Sequence, residues 1–148
     1  MEFKTAAQEA CYQRITPWMH ELFEGAVVTF EDEPLFIINL GSAVASTRVI
    51  AWQEDEALVT TRSYVVTDIE ITPDLTHYLL RENNSIYFGR FALDSENDIV
   101  FEHSLLGSTC DLDELKHSVT TVIQLADSFD DEIVVRWGGK RALDRWSS

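Results

Sequence analysis

Cysteine, basic residues and long apolar runs are what this sequence has least of. Its 148 residues include two cysteines, Cys11 and Cys110. A disulfide framework or a cysteine-ligated zinc site needs more sulfur, or sulfur clustered with histidine. Both thiols are therefore expected to be reduced and buried. The histidines, His20, His77, His103 and His117, fall in different segments with no close pair to share a metal. No run approaches the roughly 20 apolar residues of a membrane span, and "MEFKTAAQEACYQR" lacks the apolar centre of a secretion signal. The expected location is the cytoplasm.

Positive charge is scarce. Lys and Arg number 11 against 26 Asp and Glu, a formal net charge of −15. That field repels phosphate backbones and anionic lipid headgroups, so no nucleic acid and no membrane surface is expected as a partner. It favours basic protein segments and cations instead. Catalytic signatures are missing too: no G-x-S-x-G elbow, phosphate loop, dinucleotide fingerprint or H-E-x-x-H occurs. Carboxylate pairs abound in so acidic a chain, so spacing alone nominates no general acid or base. The sequence names no catalytic residue, no cofactor-binding residue and no metal ligand, and the expectation is a protein that is not an enzyme.

What the sequence does have is a core. A hydrophobic fraction of 45% and an aromatic fraction of 11% are those of an ordinary globular protein. With no repeat, linker or low-complexity tract, the expectation is a single domain over residues 1–148. Cys11, Ile15, Trp18, Met19 and Leu22 recur at helical spacing, and Thr16-Pro17 inside them reads as an N-cap and first turn. Either a kink at Pro17 or two short helices is expected, ending near Gly25.

From Ala26 to Ile71 the pattern turns to strands: "AVVTF", "PLFIINL", "TRVIAW" and "ALVTTRSYVVTDIEI", parted by the turn-like "EDEP", "GSAVAS" and "QEDE". Separators this short favour antiparallel neighbours. In the last segment Leu58, Thr60, Arg62, Tyr64 and Val66 are expected on one face, with Val59, Thr61, Ser63 and Val65 on the other. "TPDLTHYLLREN" predicts a short helix capped by Thr72, striped by Leu75, Leu79 and Leu80, and stopped at Asn83-Asn84. Two strands follow, Ser85–Leu93 and Ile99–Leu106, around the acidic tip "DSEND". Phe88, Phe91, Ile99 and Phe101 are expected to build sheet and core, with Arg90 paired to a carboxylate. The last helix is capped by Asp111, with Glu114 three residues on. It carries the stripe Leu112, Leu115, Val119, Val122, Ala126, Phe129, Ile133 and Trp137, and stops at Gly138-Gly139. The fold class is α+β.

"DSENDIVFEHSL" has acids at positions one, three and five of a calcium loop, but Ile99 and Leu105 stand where glycine and a bidentate carboxylate are required. It reads as a solvated hairpin tip. His103 shares a strand face with Ile99 and Phe101 and reads as a packed histidine. Trp18 and Trp137 fall on apolar stripes and belong to the core. Trp52, ending a strand, and Trp146, in the tail "KRALDRWSS", are the candidate partner-binding residues, because tryptophan is enriched at binding hot spots.

In order, "LLRENNSIYFGRFAL", "DIVFEHSLLGS", "LDELKHSVTTVIQLAD" and "DDEIVVRWGGKRA" resemble the YbjN family over Pro73 to Ala142, about half of the chain. That family is similar in fold to class I type III secretion chaperones. The resemblance implies a twisted antiparallel sheet with an N-terminal helix, a short middle helix and a long C-terminal helix packed on it. It also implies a small acidic homodimer that binds extended client segments on apolar grooves, without cofactor. The leading expectation is a protein-binding module, chaperone-like or regulatory, holding a partner's segment on an apolar surface or strand edge. The alternative is an acidic regulator responsive to a cation, calcium first, or to a small ligand.

Overall fold

The computed structural model describes residues 1–41 and 43–142. Helix α1 (Ala6–Leu22) is followed by strands β1 (Val27–Thr29), β2 (Leu35–Leu40), β3 (Ala43–Trp52) and β4 (Glu56–Thr67). Helix α2 (Pro73–Ser85) leads to β5 (Arg90–Leu93) and β6 (Ile99–Leu106), then to α3 (Leu112–Trp137) and β7 (Lys140–Arg141). The strands form one antiparallel sheet in the order β1-β2-β3-β4-β6-β5, with β7 pairing to β4. This is the expected α+β class, with three helices over the sheet. Among the described residues, no helix is long and apolar enough to cross a membrane.

Helix α1 is one helix, not two. Thr5 is its N-cap, accepting from the Gln8 N–H, and the helix runs through Pro17. A proline here forfeits one intrahelical hydrogen bond and crowds the preceding turn, about 3 kcal/mol. Ile15 and Met19, on either side, are fully buried against the sheet, each contributing about 1.5–3 kcal/mol. Continuity therefore wins. Thr16 does not cap; its hydroxyl donates to the Tyr12 carbonyl at 2.6 Å.

Helix α2 begins as expected, with Thr72 accepting from the Leu75 N–H. It runs through Asn83-Asn84 to Ser85, because the Asn83 side chain bonds both backbone groups of Phe91 and so ties the helix to β5. Leu75 and Leu79 are buried, but Leu80 points away and is exposed. Helix α3 matches its stripe: Leu115, Val119, Val122, Ala126 and Ile133 are buried. Asp111 accepts from the Glu114 N–H at 2.8 Å. Asp111→Ala is expected to cost about 1 kcal/mol, and so about 2–4 °C of melting temperature, measurable by calorimetry.

The strands needed more correction. "GSAVAS" is mostly strand: β3 starts at Ala43, opposite Leu40. The span Ser85–Leu93 is strand only from Arg90. Gly89, at φ +92, lies within 3 Å of the Phe101 ring once a Cβ is added, so the backbone departs from strand geometry there. Phe91, Ile99 and Phe101 are buried as expected, while Phe88 lies outside the strand, stacked on His103 at 3.9 Å. Strand β4 carries a register shift between Tyr64 and Val66. Val66 therefore leaves the outward set and joins Val65 in the core.

The helices cover one face of the sheet. One core cluster joins Ile15, Met19, Phe36, Val49, Val59 and Leu115. The other joins Val65, Leu75, Phe91, Phe101, Val122 and Ile133. A polar row, Thr47, Thr61 and His103 in register, crosses the same face between Val59 and Phe101. Thr47 bonds Thr61 at 2.8 Å, and His103 Nδ1 meets Ser118 Oγ at 2.8 Å. Those bonds remove most of the cost of burying such groups.

Candidate functional site

Among the described residues, the other face of the sheet carries none of α1, α2 and α3. Because side chains alternate along a strand, the residues between the buried positions look outward there. Val28, Val44, Ile50, Trp52, Tyr64 and Leu106 are all exposed. Apolar side chains gathered on an uncovered sheet face mark a surface that other molecules can cover. Trp52 is among them, 43% exposed at the end of β3. Trp146 lies outside the described residues.

One side of this face opens into a cleft. The β3–β4 ladder runs from Trp52↔Glu56 to Ser46↔Arg62 and stops. On the same side of β4, β7 takes over at Val66↔Arg141. Between them lie Ser63, Tyr64 and Val65, paired to neither strand. The register shift on the opposite side of β4, against β6, falls at this same point. One bridge spans the opening, from the Ser63 hydroxyl to the Val44 carbonyl at 2.9 Å.

The cleft behind this opening has a volume of about 420 Å³, bounded by the start of β3, the middle of β4 and one flank of α3. Ile37, Val44, Ala45, Ile123 and Ala126 make its walls apolar. Two carboxylates from α3 face it, Asp127 and Asp130. Asp130 is 8% exposed and has no ion-pair partner among the described residues; Arg141 pairs with Asp131 at 3.1 Å. Burial pushes Asp130 up to about 6, with Asp131 and Asp127 adding to it against a backbone N–H and Arg141. Arg62 also lines the cleft, but its guanidinium is held by Glu102 at 2.7 Å. The sequence hid this site: Asp130 reads as one acid among the four of "DSFDDE".

Glu102, on the helix-free face, is paired twice. It takes Arg62 on one oxygen and Arg90 on the other, at 2.7 and 2.9 Å. Arg90 thus has its expected carboxylate. Burial raises the Glu102 pKa, but the two guanidiniums more than offset that and hold it below the usual value. His103 is packed as expected, against Phe88 and Ser118, with its pKa lowered by burial. Cys11 and Cys110 are free and buried.

The acidic tip brings Asp94, Glu96 and Asp98 within 4.8 Å of one another. Asp94 is already engaged: Oδ1 accepts the Glu96 and Asp98 N–H groups, and Oδ2 accepts the Tyr64 hydroxyl. Those bonds close the turn.

The profile described as "T3SS (YopN, CesT) and YbjN peptide-binding chaperone 1" matches residues 9–145. No curated protein matches the chain. Several solved chains share its fold. A chain in the crystal structure of the ExsC–ExsE complex superposes with a TM-score of 0.63 at 10% identity, covering 86% of this chain and 95% of that one. A chain in the HopA1–SchA chaperone–effector complex superposes with a TM-score of 0.61 at 10% identity, covering 82% and 94%. The match over residues 9–145 extends the resemblance from the C-terminal half to nearly the whole chain: it belongs to the T3SS and YbjN peptide-binding chaperone family.

Proposed function

We propose that this chain is a non-enzymatic module that holds an extended segment of a partner protein on the helix-free face of its sheet. The observation that carries the reading is the set of exposed apolar side chains from Val28 to Leu106, running into the cleft beside Val44 and Tyr64. Extended segments suit such a surface, since alternate side chains can seat on it while the backbone stays free to bond. The chain works as one domain over residues 1–148, as a cytoplasmic homodimer, and its −15 charge biases it toward basic partners. Its buried free thiols fit a reducing compartment.

The test is fluorescence anisotropy with labelled 12-residue extended peptides of apolar, basic and acidic composition. Amide shifts of the protein then map the contact. Binding is expected with shifts at Val44, Trp52 and Tyr64. Trp52→Ala and Val44→Asp should each weaken it by about tenfold or more, about 1.4 kcal/mol, without lowering the melting temperature. Shifts confined to the helix side, or no binding by any peptide, overturn the proposal. Sedimentation velocity decides the homodimer.

A further inference from the structure

We propose that the cleft between β3, β4 and α3 is a recognition pocket for an aliphatic cation, the side chain of a lysine or arginine in the bound segment. This rests on the peptide-holding reading and names what the segment must carry. Three observations converge. First, the pocket lies at the stretch of β4 that neither β3 nor β7 pairs, where Ser63 and Tyr64 line it. A volume of about 420 Å³ lies toward the small end of ligand sites, about 300–1,000 Å³. It suits a side chain entering from a strand laid over the sheet.

Second, the lining residues are of two kinds. Ile37, Val44, Ile123 and Ala126 offer an apolar sleeve, which suits the methylene stem of a long basic side chain. Asp130 lines the same cleft, buried and with no ion-pair partner among the described residues. Burying a carboxylate unpaired is costly, and an incoming ammonium or guanidinium would remove that cost. Third, the charges around it leave the position open to a cation. Asp127 and Asp131 flank Asp130 on α3; Arg62 of β4 is occupied by Glu102, and Arg141 of β7 by Asp131. Tyr64, the remaining titratable group on the wall, bonds Asp94.

Because Asp130 keeps its proton up to about pH 6, the cation should bind well at pH 7.5 and poorly at pH 5. The experiment uses the full chain and two probes. The first is n-butylammonium chloride, with n-butanol as the neutral isostere, followed by amide and side-chain shifts. The second is a pair of labelled 12-residue apolar peptides differing only in a central lysine or norleucine. For wild type we expect saturable butylammonium shifts at Ala126 and Asp130, none with butanol, and at least a tenfold preference for lysine over norleucine at pH 7.5. Both should vanish in Asp130→Asn and fade at pH 5. Asp113→Asn makes the same charge change on an exposed part of α3 and should leave both intact. If it does not, the general field rather than the pocket is responsible and the proposal fails. Equal affinities for the two peptides, or a butylammonium response that survives Asp130→Asn, overturn the pocket while the peptide-holding reading stands. If no peptide binds but butylammonium still does, the pocket stands and the peptide-holding reading falls.

Discussion

Gly89→Ala is expected to lower the melting temperature by about 6–12 °C, following a loss of about 3 kcal/mol at about 2–4 °C per kcal/mol. Two costs add. Gly89 sits at φ +92, where an L side chain is strained by about 1–3 kcal/mol. A Cβ there would also lie 2.5 Å from Cε1 of Phe101 and 3.0 Å from the Glu102 carbonyl. Phe101 is fully buried, so it cannot swing aside without loosening its contacts with Phe91, and overpacking adds about 1–3 kcal/mol. Gly25→Ala is the control: its φ is +75 and nothing lies within 4 Å of the added Cβ, so only the strain remains. Thermal melts of the two variants separate the terms. Equal losses would mean that the approach to Phe101 contributes nothing.

Glu102→Gln is expected to cost about 2 kcal/mol at pH 7. Charge-assisted hydrogen bonds contribute about 1.5–3 kcal/mol, and the buried carboxylate makes them to two guanidiniums. Removing one partner of a buried pair can cost about 3–5 kcal/mol. Arg62 and Arg90 keep 39% and 67% of their side chains exposed, so water re-solvates them and the smaller figure applies. The pH dependence follows from the sign of the shift. Glu102 titrates below the ordinary 4.5 in the folded protein, so its contribution is complete above that value and disappears as pH falls through the folded pKa. Urea midpoints should differ between wild type and Glu102→Gln at pH 7, and the gap should narrow as the pH is taken progressively below 4.5. A gap that persists in acid would mean that Glu102 acts through shape rather than charge.

The elements most legible in the sequence were those whose signals are local. Helix α3 announces itself through Asp111, the stripe from Leu115 to Ile133 and Gly138, because capping and a 3.6-residue period act within a few residues. The same holds for Thr72 and α2, and for β6. Of the two readings of Thr16-Pro17, a kink or a second helix start, the second fails because the local cost of Pro17 is outweighed by the burial of Ile15 and Met19 against strands distant in sequence. Leu80 misled in the opposite direction: it lies beside Leu79 in sequence, but one residue further around the helix it leaves the face that Leu75 and Leu79 bury. Ser85 to Gly89 alternate like a strand, yet Gly89 turns the chain and leaves Phe88 on His103. The family resemblance was legible in the residues from Pro73 to Ala142, where those local signals are densest.

The surface was legible only in its ingredients. Trp52 could be singled out as an aromatic at a strand end, and the acidity of α3 could be counted. Neither reveals that Val44, Tyr64 and Asp130 meet around one opening.

By itself, the sequence determined the class of the fold, the helix caps, the alternation of most strands and the acidic field around the molecule, since each depends on residue type and short-range spacing. Only the tertiary structure decided where β4 bulges, where β3 leaves it and β7 joins it, and hence that a buried carboxylate on α3 faces an apolar cleft. Those outcomes depend on how strands far apart in the chain share one sheet edge, and a ladder gap arises from competition between partners rather than from any residue within it.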